Sequence, residues 1–348
     1  MKTIVFRTEA DGEVGVGHLV RCAEIARECS LNDMQCVMIG PSIMYSGSNY
    51  QDIFCGWHET HGPPNAYHDA NIAAQYGEKN DYVFLLDSYL LGIAYQEGLL
   101  AQGCRWVQFA TGLERKVLGD VIVSIAPGIQ SLSDFGPEVA RAKDVLLGPR
   151  YSIVRNRFEA FKTSLDSTWL KTVVVMLGGG DDRGWIKKIS LALNTILDRS
   201  QRLVVVIGPA NPNKERIAAW ADSNKWNMDF QLVTNPRNVE EIMASADLAI
   251  TAGGGATYEF AYLRKPMLII PLANNQIRIA TGWKKIAKAE IYLESDCFDS
   301  QVFVNVLRRL VDDQKYRSDM SESLKGIVDT NGARRVCSSI AKLFCNDE

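Results

Sequence analysis

Residues 172–182 read TVVVMLGGGDD, a β-branched apolar run that ends directly in three glycines and two aspartates. The apolar run predicts a buried strand. The glycines predict a turn in which the backbone can approach a neighbour closely, because no side chains intervene. A helical pattern follows, and the succession of strand, glycine turn and helix is typical of a βαβ unit. This stretch therefore predicts an α/β fold.

The same succession recurs outward from this stretch in both directions. Short β-branched runs alternate with longer helical patterns along the whole chain, which predicts parallel sheets. In the first half we expect helices near residues 17–30 and 93–102. The predicted strands are residues 3–7, 35–39, 82–87, 105–109 and 121–124, and then 172–177, 203–207, 229–233, 248–251 and 267–270.

The length of 348 residues favours two domains. Gly148-Pro149-Arg150-Tyr151 and a strandless stretch up to residue 170 separate the two sets of strands, so we expect a first domain over 1–150 and a second over 151–348. Doubly wound domains bind ligands at the carboxyl ends of their strands, so we expect the two domains to face a shared cleft. The last segment, 314–345, is a broken helical pattern and a candidate to cross back onto the first domain.

Composition excludes several classes of protein. Hydrophobic residues make up 47% and charged residues 23%, which speaks against disordered, collagen-like and coiled-coil chains. The formal charge of −3 leaves no basic excess for a phosphate backbone, so we expect no nucleic-acid partner. No apolar run reaches the roughly 18 residues of a membrane helix, and the first residues are too short a stretch for a signal peptide. We therefore expect a cytoplasmic protein without membrane insertion, and we leave its oligomeric state open.

The cysteines are interpreted as reduced, because the sequence contains no Cys-x-x-Cys pair. Cys55, His58, His61 and His68 offer ligand types and spacings that a zinc site could use. The alternative, which we favour, is a partly exposed loop, because glycines and prolines interrupt every period in this segment. We therefore expect no metal and no cofactor.

A histidine follows the first predicted strand, in the sequence Gly15-Val16-Gly17-His18. The positive end of the helix that begins here disfavours an imidazolium ion, so a neutral His18 could act as a general base near pH 7. A histidine that only caps the turn is the structural alternative. We favour the catalytic interpretation, because the other three histidines all fall within residues 58–68.

A third glycine turn, TAGGGATYE at residues 251–259, lacks the Gly-Lys-Ser/Thr ending of a P-loop. We expect the amides of Gly255, Ala256 and Thr257, with the Thr257 hydroxyl, to bind phosphate oxygens. Glu259 would accept two ribose hydroxyls. The alternative for Glu259 is an ordinary first-turn glutamate that favours the helix dipole.

Polar residues end two further predicted strands. They are Asp87-Ser88-Tyr89 and Asn274-Asn275-Gln276, at positions where doubly wound folds keep ligand contacts. Both could serve a sugar, and both could be simple caps. The glycine turn at residues 178–180 suits a diphosphate or a sugar. An N-cap by Asp181 or Asp182 is compatible with that role.

Together these motifs resemble the family of UDP-sugar hydrolases of pseudaminic acid biosynthesis, also known as spore-coat polysaccharide proteins. This family is in turn similar to the N-acetylglucosaminyltransferase of peptidoglycan synthesis. The resemblance spans nearly the whole chain. It rests on Arg7 ahead of Gly15-Val16-Gly17-His18 with Arg21, on Asp87-Ser88-Tyr89, on Gly148 with Tyr151, Arg155 and Phe158, on Gly178-Gly179 with Asp181, on Gly253-Gly254 with Glu259, on Asn275-Gln276, and on Asn331-Gly332-Ala333 with Arg335.

The resemblance implies the glycosyltransferase B fold, with two Rossmann-like domains facing a cleft and UDP held by the C-terminal one. It implies metal-independent hydrolysis of UDP-2,4-diacetamido-2,4,6-trideoxy-β-L-altrose or a related UDP-sugar to UDP and free sugar. His18 would activate the water that attacks the anomeric carbon. The implied substrate-binding residues are Arg7, Gly17, Arg21, Asp87, Tyr89, Tyr151, Arg155, Gly178, Gly179, Gly254, Gly255, Ala256, Thr257, Glu259, Asn275 and Gln276.

Three departures from the family pattern lie in the first domain. Gln108-Phe109-Ala110-Thr111 stands where the family usually has an Asp-Asp pair, and Ser124-Ile125-Ala126 stands where Asn-x-Asn is common. Glu9 replaces a usual aspartate. The sugar, and whether water or another acceptor attacks it, therefore stay open. The alternatives are a glycosyltransferase that uses a UDP-sugar donor on the same fold and a non-catalytic nucleotide-sugar-binding protein, which would have no need of a base.

Overall fold

A computed structural model describes residues 1–9, 17–42, 50–111, 113–114, 116–161, 169–208, 210–293 and 300–345. The chain forms two structural units. The first consists of Met1–Ile153 together with Asn331–Glu348, and the second of Val154–Thr330. The boundary thus lies slightly beyond the residue 150 expected from the sequence, and the last helix is part of the first unit.

The first unit is built on a seven-stranded parallel sheet of order β3-β2-β1-β4-β5-β7-β9, with β6 and β8 as a separate parallel pair. The strands are β1 (Thr3–Thr8), β2 (Gln35–Gly40), β3 (Gly56–Glu59), β4 (Tyr82–Asp87), β5 (Trp106–Phe109), β6 (Lys116–Val117), β7 (Val121–Ser124), β8 (Glu138–Val139) and β9 (Asp144–Leu147). The helices preceding the second unit are α1 (Gly17–Ser30), α2 (Ala66–Ala73), α3 (Ile93–Ala101) and α4 (Leu132–Phe135).

The second unit is built on a six-stranded parallel sheet of order β12-β11-β10-β13-β14-β15. The strands are β10 (Thr172–Met176), β11 (Arg202–Ile207), β12 (Asp229–Thr234), β13 (Leu248–Thr251), β14 (Met267–Ile269) and β15 (Glu290–Ile291). The helices are α5 (Trp185–Asn194), α6 (Lys214–Ser223), α7 (Val239–Ser245), α8 (Ala256–Tyr262), α9 (Asn274–Ala287), α10 (Ser300–Asp312) and α11 (Gln314–Ser323). Helix α12 (Gly332–Cys345) belongs to the first unit.

Successive side chains of each strand point to opposite sides of the first sheet, and both sides are apolar. Ile4 and Phe6 of β1 pack in the core that α1 and α12 cover, whereas Val5 packs with residues of α2 and α3 on the other side. Helix α12 contributes Val336 and Ile340 to the α1 core. Burial on both faces is what a parallel sheet requires, and it explains why these strands are apolar throughout.

The α/β fold with two parallel sheets is confirmed, and every predicted strand is present. The interpretation of residues 55–68 as a loop is wrong, because this segment contains β3 and the start of α2. Trp57 of β3 packs at right angles to Phe54 in the core. The Asn65 side chain caps α2 by accepting hydrogen bonds from the amides of Tyr67 and His68. The prolines and glycines of this segment therefore lie between two regular elements.

None of the helices in the described ranges combines the length and the apolarity needed to span a bilayer.

Candidate functional site

The first unit holds His18 in the first turn of α1, against a buried carboxylate. Its Nδ1 lies 2.7 Å from Oδ1 of Asp87, the last residue of β4. Strands β1 and β4 are neighbours, with Thr8 opposite Asp87 in register, and the Thr8 hydroxyl donates to the Asp87 carbonyl. Because α1 follows β1 in the chain, this pairing brings the start of the helix and the end of β4 together.

Asp87 is held by a second partner, the guanidinium of Arg21 one turn along α1. Arg21 donates from Nε to Oδ2 at 2.7 Å and from Nη2 to Oδ1 at 2.5 Å. Burial alone would raise the pKa of Asp87, but the charges of Arg21 and His18 act in the opposite direction and hold it well below its usual range. The carboxylate is therefore ionised at neutral pH. Arg21 is fixed in turn over the ring of Phe109, at 4.6 Å.

An ionised Asp87 accepts the Nδ1 proton of His18 and so orients the ring. In the neutral imidazole the other nitrogen, Nε2, is then the proton acceptor. The ring of Tyr89 meets the imidazole edge-on at 4.7 Å, and about half of Tyr89 is exposed. This arrangement is that of a general base with an orienting carboxylate. The sequence suggested a base at His18 from its place at the start of a helix. The structure adds a specific partner for this histidine, the Asp87 carboxylate.

Asp87 and Arg21 were expected to bind substrate, and the structure gives them a different position. Asp87 is 1% exposed, and both of its oxygens are engaged by His18 and Arg21. Their observed contacts are with His18 and with each other. The sequence showed that Asp87 ends an apolar strand. It did not show that β4 lies beside β1, which is what brings Asp87 to His18.

Arg7 is also drawn into the protein rather than toward a ligand. It is 2% exposed, and its Nε donates to Oδ2 of Asp69 at 2.9 Å. The Tyr95 hydroxyl donates to the same oxygen at 2.7 Å. Burial, followed by the neighbouring Asp69 charge, raises the pKa of Tyr95 well above its usual value. Sequence reasoning missed Asp69 and Tyr95, which lie on α2 and α3 and show no motif.

Gly17 opens α1, whereas Gly15 and Val16 of the same motif lie outside the described residues. A Cβ at Gly17 would meet no atom within 4 Å. Tyr151 is half-buried against the core of the first unit, with the Arg150 guanidinium 5.3 Å from its ring.

The second unit places the turn after β10 against the turn after β11. Gly178 has φ +100°, which a residue with a side chain rarely adopts. A Cβ on Gly208 would lie 2.4 Å from Cα of Gly179, so the two turns touch backbone to backbone. Asp182 is buried, accepts from the Ile186 amide of α5, and accepts from Nδ2 of Asn211 at 3.0 Å. The N-cap residue of α5 is Gly184, so the N-cap expected at Asp181 or Asp182 is not observed, although Asp182 does accept from a first-turn amide of this helix.

The turn after β13 is clamped by Gln276 of α9. Oε1 of Gln276 accepts from the amides of Gly253 at 3.2 Å and Leu272 at 2.8 Å. A Cβ on Gly253 would come within 2.7 Å of the Gln276 carbonyl, so this position requires a glycine. The Gln276 oxygen, expected to meet substrate, is thus engaged by the backbone. The neighbouring Asn275 is half-buried.

At the start of α8, the Thr257 amide and hydroxyl were expected to bind phosphate oxygens, but both are engaged within the protein. The Thr257 hydroxyl is buried and donates to the Gly254 carbonyl at 2.7 Å, and the Thr257 amide donates to the same carbonyl. Within the described part of the chain, the amides of Gly255 and Ala256 have no such acceptor. A Cβ at Gly179, Gly254 or Gly255 would meet nothing within 4 Å. The backbone at these turns is therefore open to a neighbour.

Arg155 joins Glu259 to a second carboxylate that the sequence did not reveal. Arg155 donates from Nε and Nη2 to Oε1 of Glu259, at 3.2 and 3.0 Å. Its Nη1 lies 3.0 Å from Oε1 of Glu240, a residue of α7 that is 4% exposed. The guanidinium also lies over the ring of Phe158 at 5.2 Å. Arg155 thus neutralises the acidic residue at the start of α8.

The residues proposed for zinc are not assembled. His58 Nε2 lies 2.8 Å from the Tyr76 hydroxyl, and His68 is largely exposed beside Asp69. Across the described ranges, no three or more His, Cys, Asp or Glu side chains group in a way that could hold a metal ion.

Comparison with known proteins places this geometry in context. Residues 173–335 match the glycosyltransferase family 28 C-terminal domain. The crystal structure of MurG from Acinetobacter baumannii superposes with a TM-score of 0.70 at 14% identity, covering 98% of this chain and 100% of that one. The fold is that of the GT-B glycosyltransferases. The expected fold class is therefore confirmed for the whole described chain.

Two curated relatives are more specific by name. The spore coat polysaccharide biosynthesis protein SpsG of Bacillus subtilis is 23% identical over 57% of this chain and 58% of SpsG, so the match spans little more than half of that protein. The UDP-2,4-diacetamido-2,4,6-trideoxy-beta-L-altropyranose hydrolase of Campylobacter jejuni is 20% identical over 81% of this chain and 96% of its own length. The chain is thus a distant relative of both proteins.

Proposed function

We propose that this protein hydrolyses a UDP-linked acetamido deoxy sugar to UDP and free sugar. The observation that carries the proposal is the His18 ring, held by the ionised Asp87 carboxylate that Arg21 fixes. A protein that only binds a nucleotide sugar has no need of an oriented base. The similarity to the Campylobacter jejuni hydrolase supports the reaction type.

His18 would act on water in the reacting step. Nε2 takes a proton from water as the water oxygen forms a bond to the anomeric carbon. The bond from that carbon to the diphosphate oxygen breaks, and its electron pair leaves with UDP. The resulting imidazolium is stabilised by the Asp87 carboxylate 2.7 Å away. A diphosphate is a competent leaving group, so this scheme needs no residue to protonate it.

The second unit would hold UDP. The amides of Gly255 and Ala256 and the turn at Gly178 and Gly179 are suited to phosphate oxygens, because their backbone is open. Glu259 would accept ribose hydroxyls, and Arg155 would offset its charge beside the diphosphate. Helix-start amides can stabilise the departing charge, so we propose that turnover needs no metal or cofactor.

Tyr89, Gly17, Tyr151 and Asn275 are proposed to contact the substrate. We also propose a cytoplasmic location, because the described cysteines carry free thiols, as is usual in a reducing compartment.

Transfer of the sugar to an alcohol is the second candidate, and the match of residues 173–335 to the glycosyltransferase family 28 C-terminal domain is the observation that favours it. The same base could deprotonate an acceptor hydroxyl. The deciding experiment offers a panel of UDP-sugars in ¹⁸O-labelled water without an acceptor. Hydrolysis at carbon predicts UDP release, label at the anomeric oxygen of the sugar, and unlabelled UDP, read before mutarotation exchanges it.

Two other outcomes contradict the proposal in different ways. Label in UDP would show attack at phosphorus. UDP release that begins only when an alcohol is added would establish the transferase.

A further inference from the structure

Glu9 follows β1 directly, and only one of its carboxylate oxygens has a hydrogen-bond donor in the described part of the protein. Ser88, which follows β4 directly, donates its hydroxyl to Oε1 of Glu9 at 2.5 Å. Nη1 of Arg7 lies 3.9 Å from the same oxygen. Oε2 is buried and accepts no hydrogen bond from any residue in the described ranges. The protein thus carries a half-satisfied carboxylate at the end of a central strand.

This carboxylate lies one residue beyond the strand pair that holds the base. Thr8 and Asp87 are opposite each other in β1 and β4, and the Glu9 to Ser88 hydrogen bond continues the same pair. Successive side chains of a strand point to opposite faces, so Glu9 and Ser88 lie on one face of the strand ends and Asp87 with His18 on the other. A ligand lying across the carboxyl ends of β1 and β4 could reach both.

An unpaired acceptor in a buried position is costly, and more so when the group is charged. Most buried polar atoms in folded proteins have a partner, so an exception calls for a reason. A ligand that brings a donor supplies one. Since the ends of parallel strands are where such folds bind ligands, the unpaired atom lies where a substrate is expected.

We propose that Oε2 of Glu9 accepts a hydrogen bond from the sugar of the substrate, given by an amide N–H or by a hydroxyl. The proposal rests on the proposed function, because it takes the ligand to be a nucleotide sugar. Glu9 is then a specificity-determining residue. A sugar with a hydrogen-bond donor at this place gives Oε2 its partner, whereas a sugar without one leaves Oε2 unpaired. Leaving a buried polar group unpaired is an effective way to reject an analogue.

The test is the substitution Glu9→Gln, which keeps the size of the side chain and places a neutral amide at this position. For the UDP-sugar that the wild-type protein turns over fastest, kcat/KM should fall roughly tenfold to a hundredfold. The Kd for UDP alone should stay unchanged. The control is Glu138→Gln, which removes a charge from an exposed ion pair with Lys116 in the same unit. It should change neither quantity.

Two substrates identify the donor. A loss with UDP-N-acetylglucosamine and not with UDP-glucose assigns the amide, and an equal loss with both assigns a hydroxyl. Unchanged kcat/KM in Glu9→Gln, or an equal loss of affinity for UDP alone, overturns the proposal. If Glu9→Gln folds poorly, Glu9→Ala, which removes both acceptor oxygens, is measured in the same way with the same expectation.

The failure of the proposed function would look different. In that case the wild-type protein releases UDP from no sugar of the panel. Glu9 is then judged by calorimetry with the UDP-sugar that binds most tightly. Glu9→Gln should lower the affinity for that UDP-sugar and leave the affinity for UDP unchanged. Equal affinity of variant and wild type for the UDP-sugar would overturn the inference.

Discussion

His18 and Asp87 are 69 residues apart in the chain, yet the imidazole nitrogen and the carboxylate oxygen lie 2.7 Å from each other. The contact forms because β1 and β4 are neighbours in the sheet, so the helix that follows β1 starts beside the end of β4. One carboxylate therefore serves two purposes. It fixes the ring of the proposed base, and it anchors Arg21 of the same helix.

Replacing His18 with alanine should lower kcat by roughly 10²- to 10⁴-fold, the usual contribution of a positioned general base. Affinity for UDP should not change, because the residues proposed to bind it belong to the other unit. Steady-state kinetics and calorimetry on the same preparation measure the two effects. His61→Ala, which alters an exposed histidine, is the matched control and should behave as wild type. A His18→Ala protein of full activity would remove His18 from the mechanism.

The substitution Asp87→Asn should destabilise the protein at neutral pH by about 1–3 kcal/mol, since it leaves the half-buried Arg21 without its counter-charge. The pKa of Asp87 is lower in the folded than in the unfolded protein, where it lies near 3.8. The stabilisation is therefore complete above that value and is lost as the pH falls below it. Urea unfolding from pH 7 to pH 3 should show the difference between wild type and variant shrinking below about pH 4.

The control for this experiment is Asp229→Asn, which breaks an exposed ion pair with Arg202. It should cost less than about 1 kcal/mol at any pH. A difference between wild type and Asp87→Asn that stays constant down to pH 3 would contradict the assigned pKa direction.

Glu259→Ala should weaken UDP binding by roughly 1.5–3 kcal/mol, the range for hydrogen bonds to a charged group. It should also abolish the preference for UDP over 2′-deoxy-UDP, because the ribose hydroxyls lose their acceptor. Calorimetry with both nucleotides gives the answer. Glu215→Ala at the exposed start of α6 serves as the control. Equal affinity in variant and wild type would leave Glu259 as a first-turn helix residue paired with Arg155.

Gly208→Ala should weaken UDP binding, although Gly208 itself is not among the residues proposed to contact UDP. The new Cβ would lie 2.4 Å from Cα of Gly179, so the glycine turn after β10 must shift. We expect a loss of stability of about 1–3 kcal/mol, as for other overpacked sites. Gly92→Ala is the control, since a Cβ there meets nothing within 4 Å. Wild-type affinity in Gly208→Ala would mean that the turn does not bind the nucleotide.

The sheets could be predicted because their strands carry local signals. The β10 stretch is β-branched throughout and is buried on both faces, so composition alone identified it. Strand β9 was missed because its apolar run has only three residues, 145–147, and strand β15 because it has only two residues. Strand β3 (Gly56–Glu59) was also missed, because glycines and prolines surround it in the sequence. Its Trp57 packs against Phe54 in the core.

The sequence offered candidate site residues, but it did not show which residues contact them. His18 stood out as a lone histidine after a strand, and Glu259 as an acid after a glycine turn. The partners of these residues come from distant positions, with Arg155 separated from Glu259 by 104 residues. Such pairs depend on which strands are neighbours, and one sequence does not specify that order. For the same reason the sequence did not show that Arg7 pairs with Asp69, or that Arg21 pairs with Asp87.

The return of α12 to the first unit bears on how the chain is made. Residues 154–330 are an uninterrupted segment and have all six of their strands once synthesis reaches Ile291. The first unit waits for Val336 and Ile340 to emerge, because these side chains complete the core beneath α1. Its amino-terminal part therefore keeps some of one apolar face exposed until residue 340 has been translated. The unit that carries His18 is accordingly completed later than the unit formed by residues 154–330.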